Sequence, residues 1–488
     1  MIYIIIFIIS LLSYTLTDCT QRNVLQARKG YTNNNFPNAK VFMPYVYTDK
    51  NTKVPFWSYR AVCYIRSDAN ITSRQFNPLQ IKDVISFFPA QKHLDIFDGD
   101  ANAVPLVSFV DPIVHLGGVF NFQKNNHLVD IYIGGDFAGF IFNKGIFTLE
   151  NSYLSYSYKN HSVLLGQYLN PMRFEYNAPR VVSYNFGAPF APRAFNPQVA
   201  YTYCLNKFAF TLTAYTQFLY CSRGPITKGE GVFTNAIPDY QQWSMLPSLN
   251  IKTTYDNQCD FKGIIAADFK TIKPFIYTQV YLELGNNIPY INNNNVNSFA
   301  LSCFLKLKRA NTFISSQIMY GNSAMDFYTF GGYGLRYFDE GKLGQKTLNK
   351  TTYEPIYFIS TWLSLESSKI HDYFVPGIFF GYAKNIPAKY PLQLNAWYVE
   401  TTPPQPMTFS IDSRYANIVF SQPGIKTLNS LKRISPRIWV CINDHLLVGT
   451  EIELSYATYG YVNRYGTATI CPEKVSMVRS TVSTQFSF

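Results

Sequence analysis

Charge is scarce in this chain. Asp, Glu, Lys and Arg make up 15% of its 488 residues, against roughly a quarter in an ordinary soluble domain. Disorder is nevertheless excluded. Disordered chains combine abundant charge with few aromatics, and here aromatics reach 17%, with 38 Tyr and 40 Phe. Beyond the N-terminus no apolar run approaches the ~18 residues of a membrane helix, which disfavours a helical-bundle membrane protein. Glu, Lys and Ala are too sparse for a coiled coil.

Motifs that carry covalent chemistry are missing as well. There is no HExxH, no GxSxG and no DxDxDG loop. Gly341 to Thr347 superficially resembles a phosphate loop but has no Gly directly before Lys346. The eight cysteines include no CxxC pair and no His at ligand spacing, so no metal and no other cofactor is expected. Cys303 and Cys441 lie in apolar strand runs, and Cys221 and Cys471 fall in outer loops where they could pair. The six His sit mostly at turns, with no paired nucleophile, so an enzyme is not expected. The basic residues are dispersed rather than clustered, which argues against nucleic acid.

What is present is strand composition: Tyr, Phe, Ile, Val, Thr and Ser, with Asn-rich turns. Residues 2–12 form one apolar run, too short to span a bilayer as a helix and suited to the core of an export signal. Residues 1–18 are therefore read as a signal peptide. Cys19 raises a lipidated N-terminus, against which Leu16-Thr17-Asp18 lacks the expected small residues. Residues 19–79 are assigned to an N-terminal periplasmic segment of unclear structure, with extra strands as the alternative for its Asn, Pro and aromatic residues, and 80–488 to a barrel.

The barrel reading rests on period two. Val129, Ile131 and Ile133 alternate with Asp130, Tyr132 and Gly134. Phe208, Phe210, Leu212 and Ala214 alternate with Thr211, Thr213 and Tyr215. Val448, Thr450, Ile452 and Leu454 alternate with Gly449, Glu451, Glu453 and Ser455. Successive side chains of a strand face opposite sides, so each segment has one oily and one polar face. Many segments exceed ten residues, longer than the ~5–6 of a soluble sandwich and sufficient to cross a bilayer at a tilt. A sheet in hydrocarbon must close, because an open edge leaves backbone groups unsatisfied.

At the C-terminus Phe488, Phe486, Thr484, Val482, Ser480 and Val478 share one face, and Arg479, Thr481 and Ser483 the other. Phe488 with Phe486 resembles the assembly signal by which the barrel-assembly machinery reads bacterial outer-membrane barrels. Short turns at 124–126, 159–160, 206–207, 256–259, 308–310, 367–369 and 443–445 alternate with long gaps at 171–195, 220–246, 273–296, 322–354, 385–432 and 460–473. With one more strand near 80–91 the count is about sixteen. The predicted fold class is all-β: a closed, antiparallel, porin-like transmembrane β-barrel.

Several short segments, in their order along residues 105–488, resemble the DcaP-like porins. They are Gly135-Asp136-Phe137 with Gly139, Leu164-Leu165-Gly166-Gln167, Arg193 followed by Pro197-Gln198-Val199-Ala200-Tyr201-Thr202, Met319-Tyr320-Gly321-Asn322, and Gly449-Thr450-Glu451. The resemblance implies a homotrimeric, sixteen-stranded outer-membrane channel for passive uptake of small anions. The family often carries a periplasmic coiled coil, and residues 20–79 show no heptads.

A pore filters electrostatically at its narrowest point. The gap 171–195 follows the fifth expected strand and resembles the constriction loop of general porins. It carries Arg173, Arg180 and Arg193 against Glu175, and is stiffened by Pro171, Pro179, Pro189 and Pro192. These charges are expected to line the eyelet; the competing reading puts the arginines on an outer loop, against lipopolysaccharide phosphates. Alternation assigns Asp136, Lys252, Lys306, Glu451, Glu453 and Arg479 to the lumen wall, where mixed signs would set up a transverse field. The net charge of +12 favours anions and also anionic lipid headgroups. The expected function is a diffusion channel in the bacterial outer membrane for small hydrophilic, anionic solutes. The alternatives are a non-conducting structural or adhesin barrel in the same membrane and a secreted soluble all-β binding protein.

Overall fold

The computed structural model describes residues 42–48, 55–73, 89, 106–124, 127–137, 147–174, 179–183, 187–192, 194–216, 244–257, 260–273, 276–281, 287–292, 295–309, 311–322, 330–336, 353–367, 373–392, 396–397, 427–443 and 445–487. Among them sixteen antiparallel strands form a closed ring. In chain order these are β1 (Pro55–Thr72), β2 (Leu106–Lys124), β3 (His127–Phe137), β4 (Phe147–Tyr158), β5 (His161–Leu169), β6 (Phe195–Leu205), β7 (Phe208–Tyr215), β8 (Ser248–Asp256), β9 (Phe261–Ile272), β10 (Val296–Arg309), β11 (Thr312–Asn322), β12 (Tyr353–Ser367), β13 (Phe374–Ile386), β14 (Thr427–Cys441), β15 (Leu446–Val462) and β16 (Ala468–Ser487). Each pairs with its neighbour, and β1 closes the ring on β16, from Tyr64 opposite Ser487 to Thr72 opposite Arg479.

The first strand differs from expectation. The sequence pattern predicts it near 80–91, but β1 lies at Pro55–Thr72, inside the expected periplasmic segment. Of 80–91 only Pro89 is described. Its carbonyl accepts the Tyr459 hydroxyl at 2.6 Å, so it packs against an inward-facing side chain. The pattern in β1 is real but weak: Tyr64, Arg66, Asp68, Asn70 and Thr72 face in, and among residues 63–72 only Ile65 and Ile71 are large and exposed on the outward face. Between Arg66 and Asp68 the register with β2 slips past Asp111-Pro112. A bulge there accommodates a proline that cannot donate to the ladder.

Tight hairpins join strands at one end. Lys159-Asn160 and Asn206-Lys207 are two-residue turns whose first residues adopt φ of 50° and 52°, a conformation common in hairpin loops and easily taken by Asn. Asn443 accepts the backbone N–H groups of His445 and Leu446 at 2.8 and 2.7 Å, and Asn257 does the same for Asp260 and Phe261. Such Asx turns explain the Asn content of the short connections. The long connections gather at the other end. There Arg336 bridges Leu392, and the N–H groups of Ala388 and Leu392 donate to the carbonyls of Tyr465 and Arg464. Gly332–Leu335 extends the line of β11 along β12, Phe42–Thr48 pairs with the start of β1, and Ile276–Tyr281, Asn287–Asn292 and Ala396–Trp397 form a separate small sheet. Cys471 carries an unbonded thiol, and Cys221 lies outside the described residues.

Alternation sorts the side chains as the pattern requires. Ile251, Ile265, Leu165, Leu212, Ile452 and Val482 all point outward and are exposed. Soluble monomers rarely expose a contiguous apolar surface on this scale. Aromatic rings mark both rims of the outward face. At the short-turn end His127 lies by Tyr156 and Tyr158, His161 by Tyr201, and Phe208 by Tyr255. At the other end Phe299, Tyr320 and Tyr357 meet with centroids 6.0–6.2 Å apart.

Candidate functional site

The connection between β5 and β6 lies inside the ring. Asn170 anchors its start, accepting the Met172 N–H at 2.9 Å and donating to Asn196 at 3.0 Å. Met172 and Phe174 then bury against inward residues of β9–β11: Phe174 meets the Phe304 ring at 5.9 Å, and Gln317 donates to the Met172 carbonyl at 3.2 Å. The segment next reaches toward the short-turn end. There Glu451 of β15 accepts the N–H groups of Val182 and Ser183 at 2.5 and 2.7 Å. Arg66 of β1 donates to the Val182 carbonyl, and Trp439 of β14 to that of Arg180. On the return, Gly187 turns with φ 81°, and a Cβ there would lie 2.2 Å from Pro179. Phe190 fills the space above Gly381, where a Cβ would come within 2.4 Å of its ring. The carbonyls of Ala188 and Phe190 accept from Arg433 and Ser360 at 2.7 and 3.1 Å. Sequence makes this possible: small residues at Gly187, Ala188, Gly381 and Ala383 let the loop approach the wall, and Met172, Val182 and Phe190 give it an apolar underside.

Beneath the loop lies a set of ion pairs. Arg66 binds Asp68 through two hydrogen bonds of 2.7 Å. Glu453 is shared by Arg433 at 3.1 Å and Arg479 at 2.5 Å. Glu366 holds Arg180 at 2.7 Å and Arg437 at 3.6 Å. With Glu451, four carboxylates thus offset five guanidiniums. Burying such charges is costly unless every one is paired, and the loop's backbone supplies much of the pairing.

This changes the assigned roles. Glu451, Glu453 and Arg479 do face inward, but the loop covers them, leaving 1%, 1% and 2% of their surface exposed. Glu453 pairs with Arg479 and Arg433, and Glu451 holds the loop's backbone, so these charges are compensated on one wall instead of setting up a field across open water. Lys252 and Lys306 face inward and stay half-exposed. Asp136 lies in β3 opposite His115 and Thr148, but its side chain is outside the described residues. Arg173 covers the Phe195 ring at 5.7 Å. Arg180, with 41% of its side chain exposed, is tied to Glu366. Glu175, Arg193 and Phe488 lie outside the described residues. Phe486 points outward beside the His445 ring. Sequence reasoning does not single out Arg66, Asp68, Glu366, Arg433 and Arg437 among the charges buried under the loop. The alternation of Arg433, Ser435 and Arg437 with Ile434, Pro436 and Ile438 was the available signal for two of them.

Exposure shows where space remains. Inward side chains of β12–β16 under the loop are almost all buried, whereas on β3–β8 Asp130, Tyr132, Tyr153, Ser155, Thr202, Thr211, Lys252 and Thr254 are half-exposed toward the short-turn end, and Asn151, Asn196, Gln198, Thr213, Tyr215, Ser248 and Asn250 are buried toward the other. On this side Tyr132 stacks on Tyr153 at 5.6 Å, Tyr168 meets Tyr153 edge-on at 4.8 Å, and His115 bonds the Tyr132 hydroxyl at 2.9 Å. The space bounded by β3–β8 and the free side of the loop is therefore polar, and its half-exposed wall lies toward the short-turn end. Among the described residues no group of His, Cys, Asp or Glu is placed to hold a metal ion.

Neither a protein-family model nor a curated protein sequence matches this chain. Solved structures do. The outer membrane channel DcaP of Acinetobacter baumannii is similar at TM-score 0.57 and 13% identity, covering 91% of this chain and 99% of that one. OmpT of Vibrio cholerae, an outer-membrane expressed protein, matches at TM-score 0.49 and 8% identity over 91% and 100% of the two chains. An anion-selective porin from Comamonas acidovorans matches at 0.47 and 8% over 88% and 99%. Below 0.5 the last two carry no weight. The first shows the fold: a closed, DcaP-like barrel of sixteen antiparallel strands.

Proposed function

We propose that this chain is a bacterial outer-membrane porin, a homotrimeric water-filled channel for passive diffusion of small hydrophilic solutes with a preference for anions. The observation that carries the reading is the combination of an apolar outward face, rimmed by aromatics, with a loop that fills one side of the interior and leaves a half-exposed polar wall on the other. Aromatic girdles at both rims of an apolar band are the mark of barrels seated in a bilayer. The similarity to the DcaP channel supports the same reading through the fold.

Permeation then needs no covalent chemistry, and none is assigned. A solute enters at the long-loop end, moves along β3–β8 beside the loop, and leaves at the short-turn end. The wall there carries Lys252, with Lys262 and Lys306 beside it on β9 and β10, and the loop offers Arg180, so the mean potential near the short-turn end is positive and raises the local concentration of anions. Arg173, Arg180, Arg193 and Glu175 are proposed as the constriction, Phe486 and Phe488 as the assembly signal, and residues 1–18 as the export signal.

Planar-bilayer recording of the detergent-folded protein tests this. Stepwise chloride conductance with an anion-favouring reversal potential in a KCl gradient is expected. Silence at all voltages, in a preparation that shows heat-modifiable migration, would overturn the channel and leave a structural barrel.

A further inference from the structure

Close to the short-turn end, the inward face of β8–β10 gathers ammonium groups beside the loop, of which Lys252, Lys262 and Lys306 are partly buried and Lys308 is exposed. Lys262 and Lys306 stand directly opposite one another across β9 and β10. Lys252 lies on the same face of β8, opposite Ala266, and Lys308 follows Lys306 on the same face of β10. Directly opposed residues on one face of a sheet hold their Cβ atoms about 4.5–5.5 Å apart, and like charges there are destabilising. The other charged neighbours of Lys306 are Arg180, of the same sign, and the acids Glu366 and Asp256. Glu366 is committed to Arg180 and Arg437. Asp256 is 3.3 Å from Lys262, whose side chain remains 20% exposed, and Asp260 at the rim binds the Asn257 amide. Cations therefore outnumber acids at the point where the passage leaves the barrel.

We propose that Lys262 and Lys306, supported by Lys252 and Lys308, form a binding site for tetrahedral oxyanions of two or more charges, of which the phosphate group is the type. The site rests on the porin reading. Its chemistry follows from the residues chosen. A guanidinium is a planar fork that matches a carboxylate, whereas an ammonium is a compact charge with three rotatable donors. Several ammoniums around one space suit an anion whose oxygens point in different directions. Arg66, Arg433, Arg437 and Arg479, inward-facing on the wall, are used in the ion pairs under the loop, and the cationic side chains that face inward beside the loop on β8–β10 are lysines. Because the site faces inward, its ligand is a solute and not a lipid headgroup. An anion between Lys262 and Lys306 also relieves their mutual repulsion.

The test is chloride current through single channels at neutral pH with inorganic phosphate, or succinate, added on the short-turn side. Phosphate should reduce the current at lower concentration than succinate. In K262Q/K306Q the phosphate concentration for half-block should rise by roughly tenfold or more, as loss of charge-assisted hydrogen bonds implies, while the channel still opens in steps, with a smaller chloride conductance because two wall charges are gone. The double variant removes a repulsive pair and is expected to fold, with heat-modifiable migration as the check. Conduction without phosphate block, equal block by succinate, or block unchanged in K262Q/K306Q would each overturn the site while leaving the channel intact. If the protein does not conduct, the porin reading fails. Titration calorimetry of inorganic phosphate into the detergent-folded barrel then decides the site by itself: binding lost in K262Q/K306Q supports it, and no binding by the native protein overturns it.

Discussion

Glu451 is the latch that holds the inner loop against the wall, and truncating it should free the loop tip. One carboxylate oxygen accepts two buried backbone N–H groups, those of Val182 and Ser183. Hydrogen bonds to a charged partner contribute about 1.5–3 kcal/mol each. Glu451→Ala removes both, leaves the two donors without this acceptor, and strips a negative charge from beside the guanidiniums under the loop. A loss of about 3–5 kcal/mol is expected, the range for breaking a buried charge network. At about 1.4 kcal/mol per tenfold, that raises the population of the released tip by roughly two to three and a half orders of magnitude. Glu451→Gln keeps an acceptor oxygen and should cost far less, about 1 kcal/mol. Ser183 is 2% exposed, so Ser183→Cys reports the release when labelled with a water-soluble maleimide and read by peptide mapping, which separates it from the chain's own cysteines. Fast labelling and larger, noisier single-channel steps are expected in the Ala background, and slow labelling in the Gln and native backgrounds. Equal labelling in all three would refute the latch, since Glu451 would then do nothing to keep the tip against the wall.

Other outcomes follow from the same geometry. Replacing Arg173, Arg180 and Arg193 together with Ser should shift the reversal potential toward cations; an unchanged potential would mean that the loop does not set selectivity. Gly187→Ala forces a side chain into a left-handed turn and against Pro179, which should cost at least about 1–2 kcal/mol and appear as heterogeneous conductance; uniform native-like steps would contradict the tight return. Ile265 is 60% exposed near the middle of β9. Ile265→Arg should therefore lower the stability of the folded barrel in vesicles by about 2–4 kcal/mol, measured by urea unfolding. An unchanged midpoint would argue that this face does not meet hydrocarbon.

Much of the wall was legible because a strand's two faces are a local property. Phe208, Phe210 and Leu212 need no knowledge of the rest of the chain to be placed opposite Thr211 and Thr213. The short turns follow from Asn and Lys at fixed places, and they set the hairpin order. The first strand escaped because Ser67 and Ala69 dilute its apolar face, and because Pro112 interrupts the partner strand. Its identity is settled by pairing with β16, a partner more than four hundred residues away.

Sequence by itself determined that this chain forms amphipathic strands in hairpins, enough to close a ring, with Arg479, Glu451 and Glu453 on the inner face. It did not determine what those residues meet. Period two says which way a side chain points, and says nothing about whether water or protein lies there. Only the tertiary structure brings the loop after β5 across to β12–β16 and β1, turning Glu451, Glu453 and Arg479 into buried supports and leaving Lys252, Lys262 and Lys306 beside the passage. The physical reason is that facing direction is fixed by one residue and its neighbours, whereas solvation depends on segments that are distant in sequence and meet only when the ring closes.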